Sequence, residues 1–315
     1  MSRSTPAFLK AFGSYLPVRV VSNQELADRL DCTPEWIFGV SGIEERRYAS
    51  PDESVVDLGV AAARQCLDRA ARGADEIEML LMASGTAERR FPGPASSVAS
   101  RLGLQNTPAV DVPFASAGSL FALGLAAQLT EAYRNVLVVA AEKMSSVVLS
   151  QQTAPGVAIL FGDGAGACIV GANGGLARLL DAALHSDGAF ADDLRLEFGA
   201  PLEMKGRSVI LQASRKIPAV IGEVLEKNTR TASDVRAFLM HQANQNLIDR
   251  IARALNVETD RFYSNIRRYG NTSSASMLIA AEEWWAEKGP RSGDLICFAA
   301  FGAGYHWGAQ LAQVE

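Results

Sequence analysis

An α/β layered fold is predicted for this 315-residue chain by three observations. Short apolar runs recur along its whole length, stretches of helical periodicity lie between them, and no low-complexity linker separates the two kinds. Strands that alternate with helices belong to layered α/β domains. A hydrophobic content of 48% is ample for a large core.

The runs that read as buried strands are "IEMLLMAS" (77–84), "NVLVVAAE" (135–142), "VAILFGDGAGACIVGA" (157–172), "VRAFLMHQA" (235–243) and "DLICFAAFGAG" (294–304). The helical patterns are "SVVDLGVAAARQCLDRAA" (54–71), "AGSLFALGLAAQLTEAY" (117–133), "SVILQASRKIPAVIGEVLEK" (208–227, interrupted by Pro218) and "SSASMLIAAEEWWAEK" (273–288). The Gly-rich "GANGGLARLL" (171–180) is the seam between two halves, 1–172 and 173–315, each with strand, helix and strand in similar order.

Composition narrows the function classes. A formal net charge of −5 argues against a general nucleic-acid binder, although Arg89-Arg90 and Arg267-Arg268 could meet an acidic partner. Cys32, Cys66, Cys168 and Cys297 are far apart and form no CxxC pair, so neither a zinc site nor a disulfide framework is indicated. The opening "MSRSTPAFLKAFGSYLPVRVV" lacks a continuous apolar leader, and no run approaches the roughly 18 apolar residues of a membrane span. A soluble, cytoplasmic protein without a metal or cofactor is expected.

Three polar residues stand at junctions where chemistry is favoured. Ser116, in "DVPFASAGSLFALGLAAQL" (111–129), lies where an extended segment turns into an apolar helix, close to backbone N–H groups and the helix dipole. His241, one of only three histidines with His185 and His306, closes a strand-like run and precedes a helix. Asn271, in "YGNTSSAS", precedes another apolar helix and could equally cap it. Spacing alone does not join the three. The "FGDGAGA" segment (161–167) reads as a tight turn, because it is not a G-x-G-x-x-G opening a helix and no Walker lysine follows.

Seven ordered motifs resemble the β-ketoacyl-acyl-carrier-protein synthase III family of the thiolase superfamily over nearly the whole chain. They are "PEWIFGVSGIEERRYAS" (34–50), "FPGPAS" (91–96), "DVPFASAG" (111–118), "ILFGDGAGA" (159–167), "HQAN" (241–244), "YGNTSSAS" (269–276) and "FGAGYHWG" (301–308). The resemblance implies a five-layered αβαβα thiolase-like fold built from two similar halves, and a homodimer. It implies acyl loading from an acyl thioester and decarboxylative condensation with malonyl-acyl carrier protein (malonyl-ACP). By motif the nucleophile position is Ser116, the catalytic histidine His241 and the catalytic asparagine Asn271. The N–H groups of Ser116 and Ala303 would form the oxyanion hole. Trp36, Asn244, Phe91 and Gly206 would contact substrate, with Arg89 and Arg90 available to a carboxylate-terminated acyl chain.

In that family the nucleophile is a cysteine, so Ser116 reads as an inactivating or trapping replacement, natural or engineered. A thiol can ionise beforehand beside an imidazolium. A hydroxyl must lose its proton during attack, and serine triads supply a carboxylate for the imidazolium that Asn271 does not carry. Two further departures concern the donor: Val40 and Pro155 stand where arginines commonly grip coenzyme A, and Leu211 and Asn246 where carrier-docking basic residues are usual. Arg207, Arg215, Lys216, Arg250 and Arg253 lie nearby. The alternatives are an acyltransferase of the same fold acting on a hydroxyl or amine, and a non-catalytic partner subunit of an active homologue.

Overall fold

The computed structural model describes residues 6–149 and 153–315; the first five residues of the segment searched for a leader lie outside them. Nine strands form the main sheet: β1 (Ala7–Tyr15), β2 (Met79–Ala83), β3 (Ala109–Val112), β4 (Asn135–Lys143), β5 (Asp163–Gly171), β6 (Ala177–Ser186), β7 (Val235–Met240), β8 (Leu295–Gly302) and β9 (His306–Val314). The helices that position the site are α1 (Pro34–Ser41), α2 (Val55–Arg69), α3 (Pro94–Leu102), α4 (Gly118–Leu129), α5 (Gly206–Lys227), α6 (Gln245–Leu255) and α7 (Ser276–Lys288).

The spatial order of strands is β7-β8-β9-β6-β1-β5-β4-β2-β3. Outward from β1, the chain pairs antiparallel with β5, antiparallel again to β4, then parallel to β2 and β3. Outward from β6 the directions repeat: antiparallel to β9, antiparallel to β8, parallel to β7, which is bridged in parallel to Phe262. Helices α4 and α7 contact strands of both series and form the middle layer, while α2 and α3 cover one outer face and α5 and α6 the other. The result is the five-layered αβαβα fold. A middle helix must be apolar on every face, and α4 buries Leu120, Ala122, Leu123, Ala126 and Ala127 around its circumference.

Several boundaries differ from those predicted. The 157–172 run is not one strand: Pro155–Ala158 forms a helical turn and β5 starts only at Asp163. The glycines of 161–167 therefore lie largely in a strand and not in a tight turn. A Cβ at Gly166 would sit 2.5 Å from the Leu278 Cβ, so these glycines let α7 pack directly on β5. Pro218 does not interrupt its helix. The buried stripe Ala213, Ile217, Val220, Ile221 and Val224 carries α5 through it without a break. The strand before His241 ends at Met240, although the His241 N–H still donates 2.9 Å to the Ala299 carbonyl. Among the described residues no helix is long and apolar enough to cross a membrane.

Candidate active site

Ser116 occupies the link between β3 and α4 at φ +61°, with the Ala117 N–H bonded 2.7 Å back to the Ala115 carbonyl. That is a γ-turn, a conformation a serine enters only under strain. Gly302, at the end of β8, makes room for it: a Cβ there would lie 2.3 Å from the Ala115 oxygen and 3.0 Å from the Ser116 Cβ. The Ser116 N–H donates 3.0 Å to the Ser273 hydroxyl.

His241 is 3% exposed and stands just past β7, its Nδ1 2.6 Å from the Ser276 hydroxyl at the start of α7. The same hydroxyl accepts the Gln242 N–H at 3.1 Å. Burial pushes the imidazole down to about 4, opposed by a hydrogen bond to the Ser273 backbone, so the ring is neutral near pH 7. Asn271 is held from three sides. Its N–H donates to the Leu160 carbonyl at 2.8 Å, its carbonyl accepts from the Gly162 N–H at 3.1 Å, and its Oδ1 accepts from the Ser273 N–H at 2.8 Å. With Oδ1 occupied, Nδ2 remains as a donor. The cap-like bond expected of an asparagine before a helix is present, but it serves the 271–273 turn.

These three side chains, drawn from the ends of three different elements, line one cavity of about 90 Å³ together with Asn244, Gly206 and Phe161. A second cavity of about 180 Å³ opens on the other side of Ser116, walled by Phe114, Phe161, Leu202 and His306 and bordered by Ala303. Ser116, Phe161 and Leu194 belong to both.

The remaining predicted contacts fall outside these two cavities or have other partners. Asn244 is committed to structure: it caps α6 by accepting the Asn246 N–H at 2.9 Å and donates 2.8 Å to the Val40 carbonyl. Asn246 bonds to the Gly39 and Val40 carbonyls, strapping α1 to α6. Trp36 is half exposed on α1 and lines neither cavity. Phe91 is 85% exposed. Arg89 and Arg90 line a third cleft of about 540 Å³, which shares Gly85, Thr86, Pro113 and Leu196 with the second cavity. Of the basic residues considered for an acidic partner, Arg267 pairs with Glu44, Arg268 with Glu283 at 3.0 Å, and Lys216 with Asp187 at 3.3 Å.

One residue that sequence reasoning passed over holds the site together. Glu142, at the end of β4, is fully buried. It accepts from the Gly85 N–H at 3.0 Å, the Thr86 hydroxyl at 2.7 Å and the Ser274 hydroxyl at 2.7 Å. It therefore ties the loop after β2 to the turn that carries Asn271. A carboxylate ending an otherwise apolar strand run was the available signal. No cysteine lines either cavity that meets at Ser116: Cys66, Cys168 and Cys297 are buried, and burial pushes the thiols of Cys66 and Cys297 up to about 12.

Known proteins resemble this chain in sequence and in fold. The sequence model of the 3-oxoacyl-[acyl-carrier-protein] synthase III family matches residues 110–188, and that of its C-terminal region residues 225–314. The β-ketoacyl-[acyl-carrier-protein] synthase III of Helicobacter pylori (strain ATCC 700392 / 26695) is 35% identical over 323 aligned positions, covering 97% of each chain. The crystal structure of 3-oxoacyl-[acyl-carrier-protein] synthase III from Aquifex aeolicus VF5 superposes with a TM-score of 0.93 at 34% identity, covering 98% of this chain and 99% of that one. The priming β-ketosynthase of the R1128 polyketide pathway gives 0.90 at 31% identity, covering 100% and 98%. On fold, identity and extent, this chain belongs to the 3-oxoacyl-[acyl-carrier-protein] synthase III family.

Proposed function

We propose that this chain is a β-ketoacyl-ACP synthase III-like condensing enzyme, in which residue 116 is the acylation position and His241 and Asn271 act on malonyl-ACP. The observation that carries the reading is the convergence of Ser116, His241 and Asn271 on one cavity that continues into a second, mostly apolar one. Residues 1–172 supply the nucleophile position and residues 173–315 the histidine and asparagine.

The two half-reactions make different demands on His241. While the Ser273 backbone carbonyl competes for the ring N–H, Ser276 accepts the Gln242 N–H and can donate its own hydrogen to Nδ1. In that tautomer Nε2 carries a hydrogen. Nε2–H and the Asn271 Nδ2 then donate to the malonyl thioester carbonyl and stabilise the enolate formed as carbon dioxide leaves. Acyl loading needs the opposite: Nε2 must accept the Ser116 proton, and the resulting imidazolium is disfavoured by the burial that lowers the ring to about 4. Serine at 116 therefore impairs loading far more than decarboxylation. The attack on the thioester, once it occurs, builds charge near the Ser116 and Ala303 N–H groups, which are the proposed oxyanion donors.

The assembly we infer is a homodimer. β3 is an open sheet edge with Val110 45% exposed, and the nearby Phe91 ring stands 85% exposed.

The test is intact-protein mass spectrometry of this chain and its Ser116→Cys variant with acyl-CoA and acyl-ACP donors, alongside carbon dioxide release from malonyl-ACP. Acyl mass on the cysteine variant alone, with release by both, is expected. Equal loading of the serine chain would overturn the impairment; acyl transfer to a hydroxyl or amine without carbon dioxide release would favour the acyltransferase reading.

A further inference from the structure

We propose that His306 is a specificity-determining residue that selects acyl groups bearing an uncharged hydrogen-bonding atom, a hydroxyl or a ketone, over plain hydrocarbon chains. The inference rests on residue 116 being the acylation position. It concerns the 180 Å³ cavity beyond Ser116, whose lining is dominated by Phe114, Met144, Phe161, Leu194, Leu196 and Leu202.

Among the described residues, four lining side chains carry a nitrogen or oxygen: Ser116, Thr86, Arg195 and His306. Ser116 is the reacting group. Thr86 is consumed by the fold, its hydroxyl donating 2.7 Å to Glu142 and accepting 2.9 Å from the Lys143 N–H. Arg195 is consumed by a two-pronged pairing with Glu203 at 3.1 and 3.2 Å, with Asp192 and Glu197 also close. His306 alone keeps an edge for a ligand. Its Nδ1 meets the Ser186 hydroxyl at 2.7 Å, and among the described residues Nε2 has no partner.

The ring is built in as rigidly as a recognition group should be. It stacks on Phe114 with centroids 4.1 Å apart and planes 6° from parallel, and meets Phe121 edge-on at 5.5 Å. Gly304 keeps the Nε2 edge uncovered: a Cβ there would lie 2.4 Å from that nitrogen. An apolar cavity with one convergent polar group is the usual form of a selective small-molecule site. An engineered apolar cavity of ~150 Å³ holds a benzene ring, so this one suits acyl groups of about six non-hydrogen atoms. Among the described residues no uncommitted cation lines it, so a carboxylate there would lack an ion-pair partner and is disfavoured.

Loading at residue 116 would be followed by mass spectrometry in this chain and its Ser116→Cys variant, each with His306 intact or as His306→Phe. The donors are butyryl, 3-hydroxybutyryl, 4-hydroxybutyryl and succinyl thioesters. A preference of roughly tenfold or more for a hydroxylated chain over butyryl is expected, lost in His306→Phe and partly kept in His306→Gln. Equal loading of butyryl and hydroxybutyryl, a preference that survives His306→Phe, or succinyl as the best donor would overturn the assignment. Nitrogen NMR of the His306 ring, titrated with pantetheine amides of butyrate and 3-hydroxybutyrate, needs no acyl transfer. A shift for the hydroxylated amide alone upholds the assignment even if no donor loads any version, which would defeat only the condensing reading; no such shift overturns it.

Discussion

The two cavities that meet at Ser116 are finished in opposite ways. On the His241 side nearly every polar group is already paired: Asn271 through Ser273, His241 through Ser276, Asn244 through Val40 and Asn246. On the His306 side the wall is aromatic and aliphatic, and one imidazole edge is left without a partner among the described residues. A side that performs the same chemistry on every turnover gains from groups locked in one orientation. A side that chooses among acyl chains is defined by shape and by one unsatisfied group. Ser116 lies on the boundary, and its replacement tests whether the two sides work independently.

The largest effect expected is on loading. Ser116→Cys should raise the rate of acyl transfer to residue 116 by roughly 10⁴-fold, by analogy with the handicap of a serine triad that holds asparagine in place of aspartate. Decarboxylation of malonyl-ACP, which the proposed function assigns to the His241 side, should change by less than about threefold if hydrogen-bond donation to the thioester carries it. Quench-flow loading and carbon dioxide release on the same two proteins measure both. Parallel changes in the two rates would mean that the sides are not separable.

Next comes the node beneath both cavities. Removing the Glu142 carboxylate leaves the Gly85 N–H and the Thr86 and Ser274 hydroxyls without their shared acceptor. Glu142→Ala should cost about 4 kcal/mol of stability and Glu142→Gln roughly half that, because the amide keeps one acceptor oxygen. Urea unfolding measures it. A loss under about 1 kcal/mol would show that the buried carboxylate is dispensable and that the Asn271 turn is held by other contacts.

The third effect follows from His241 itself. Unfolded, the imidazole takes up a proton near 6.5; folded, it does so only near 4. Between these values the unfolded chain binds a proton that the folded chain does not, so stability falls as pH drops from 6.5 towards 4. The contribution at pH 5 is a loss of about 2 kcal/mol relative to pH 7.5. It should be absent in His241→Gln, a difference read from urea midpoints at the two pH values. By the same low affinity for protons, decarboxylation should hold level down to about pH 5. A rate that titrates near 6.5 would place His241 in contact with solvent.

How far this contrast was legible in the sequence follows from how each side is built. His241, Asn271 and Gly302 lie in short contiguous motifs whose backbone geometry the local sequence dictates, so their resemblance to a family pointed at once to the same neighbourhood. The layered fold was legible for the same reason, since periodicity of 2 and 3.6 survives in any strand or helix that buries a face. The His306 side is assembled from Phe114, Leu202 and Ser186, residues with no sequence relation to one another, and only the fold brings them together. Pro218 misled because a long buried stripe outweighs one missing N–H. The 161–167 glycines misled because glycine marks close packing of backbone on helix as often as it marks a turn. Glu142 went unread although a carboxylate ending an apolar run marked it, because its donors on Gly85, Thr86 and Ser274 come together only in the fold.

The smallest effect distinguishes the two meanings of Asn244. As a substrate contact alone, Asn244→Ala would weaken use of carrier-bound substrates and leave stability untouched. The structure spends both ends of its amide on the protein, on the Asn246 N–H and the Val40 carbonyl. Loss of that cap should therefore cost about 1 kcal/mol of stability. It should also loosen α1, on which Val40 and Trp36 stand at 39% and 42% exposure. Asn244→Ser, which can still cap α6 but cannot reach as a second donor, should recover most of the stability and little of the strap. If Asn244→Ser instead restores KM for the carrier-bound substrate in full, the strap between α1 and α6 has no part in binding, and the His241 side is less tightly locked than its hydrogen bonds imply.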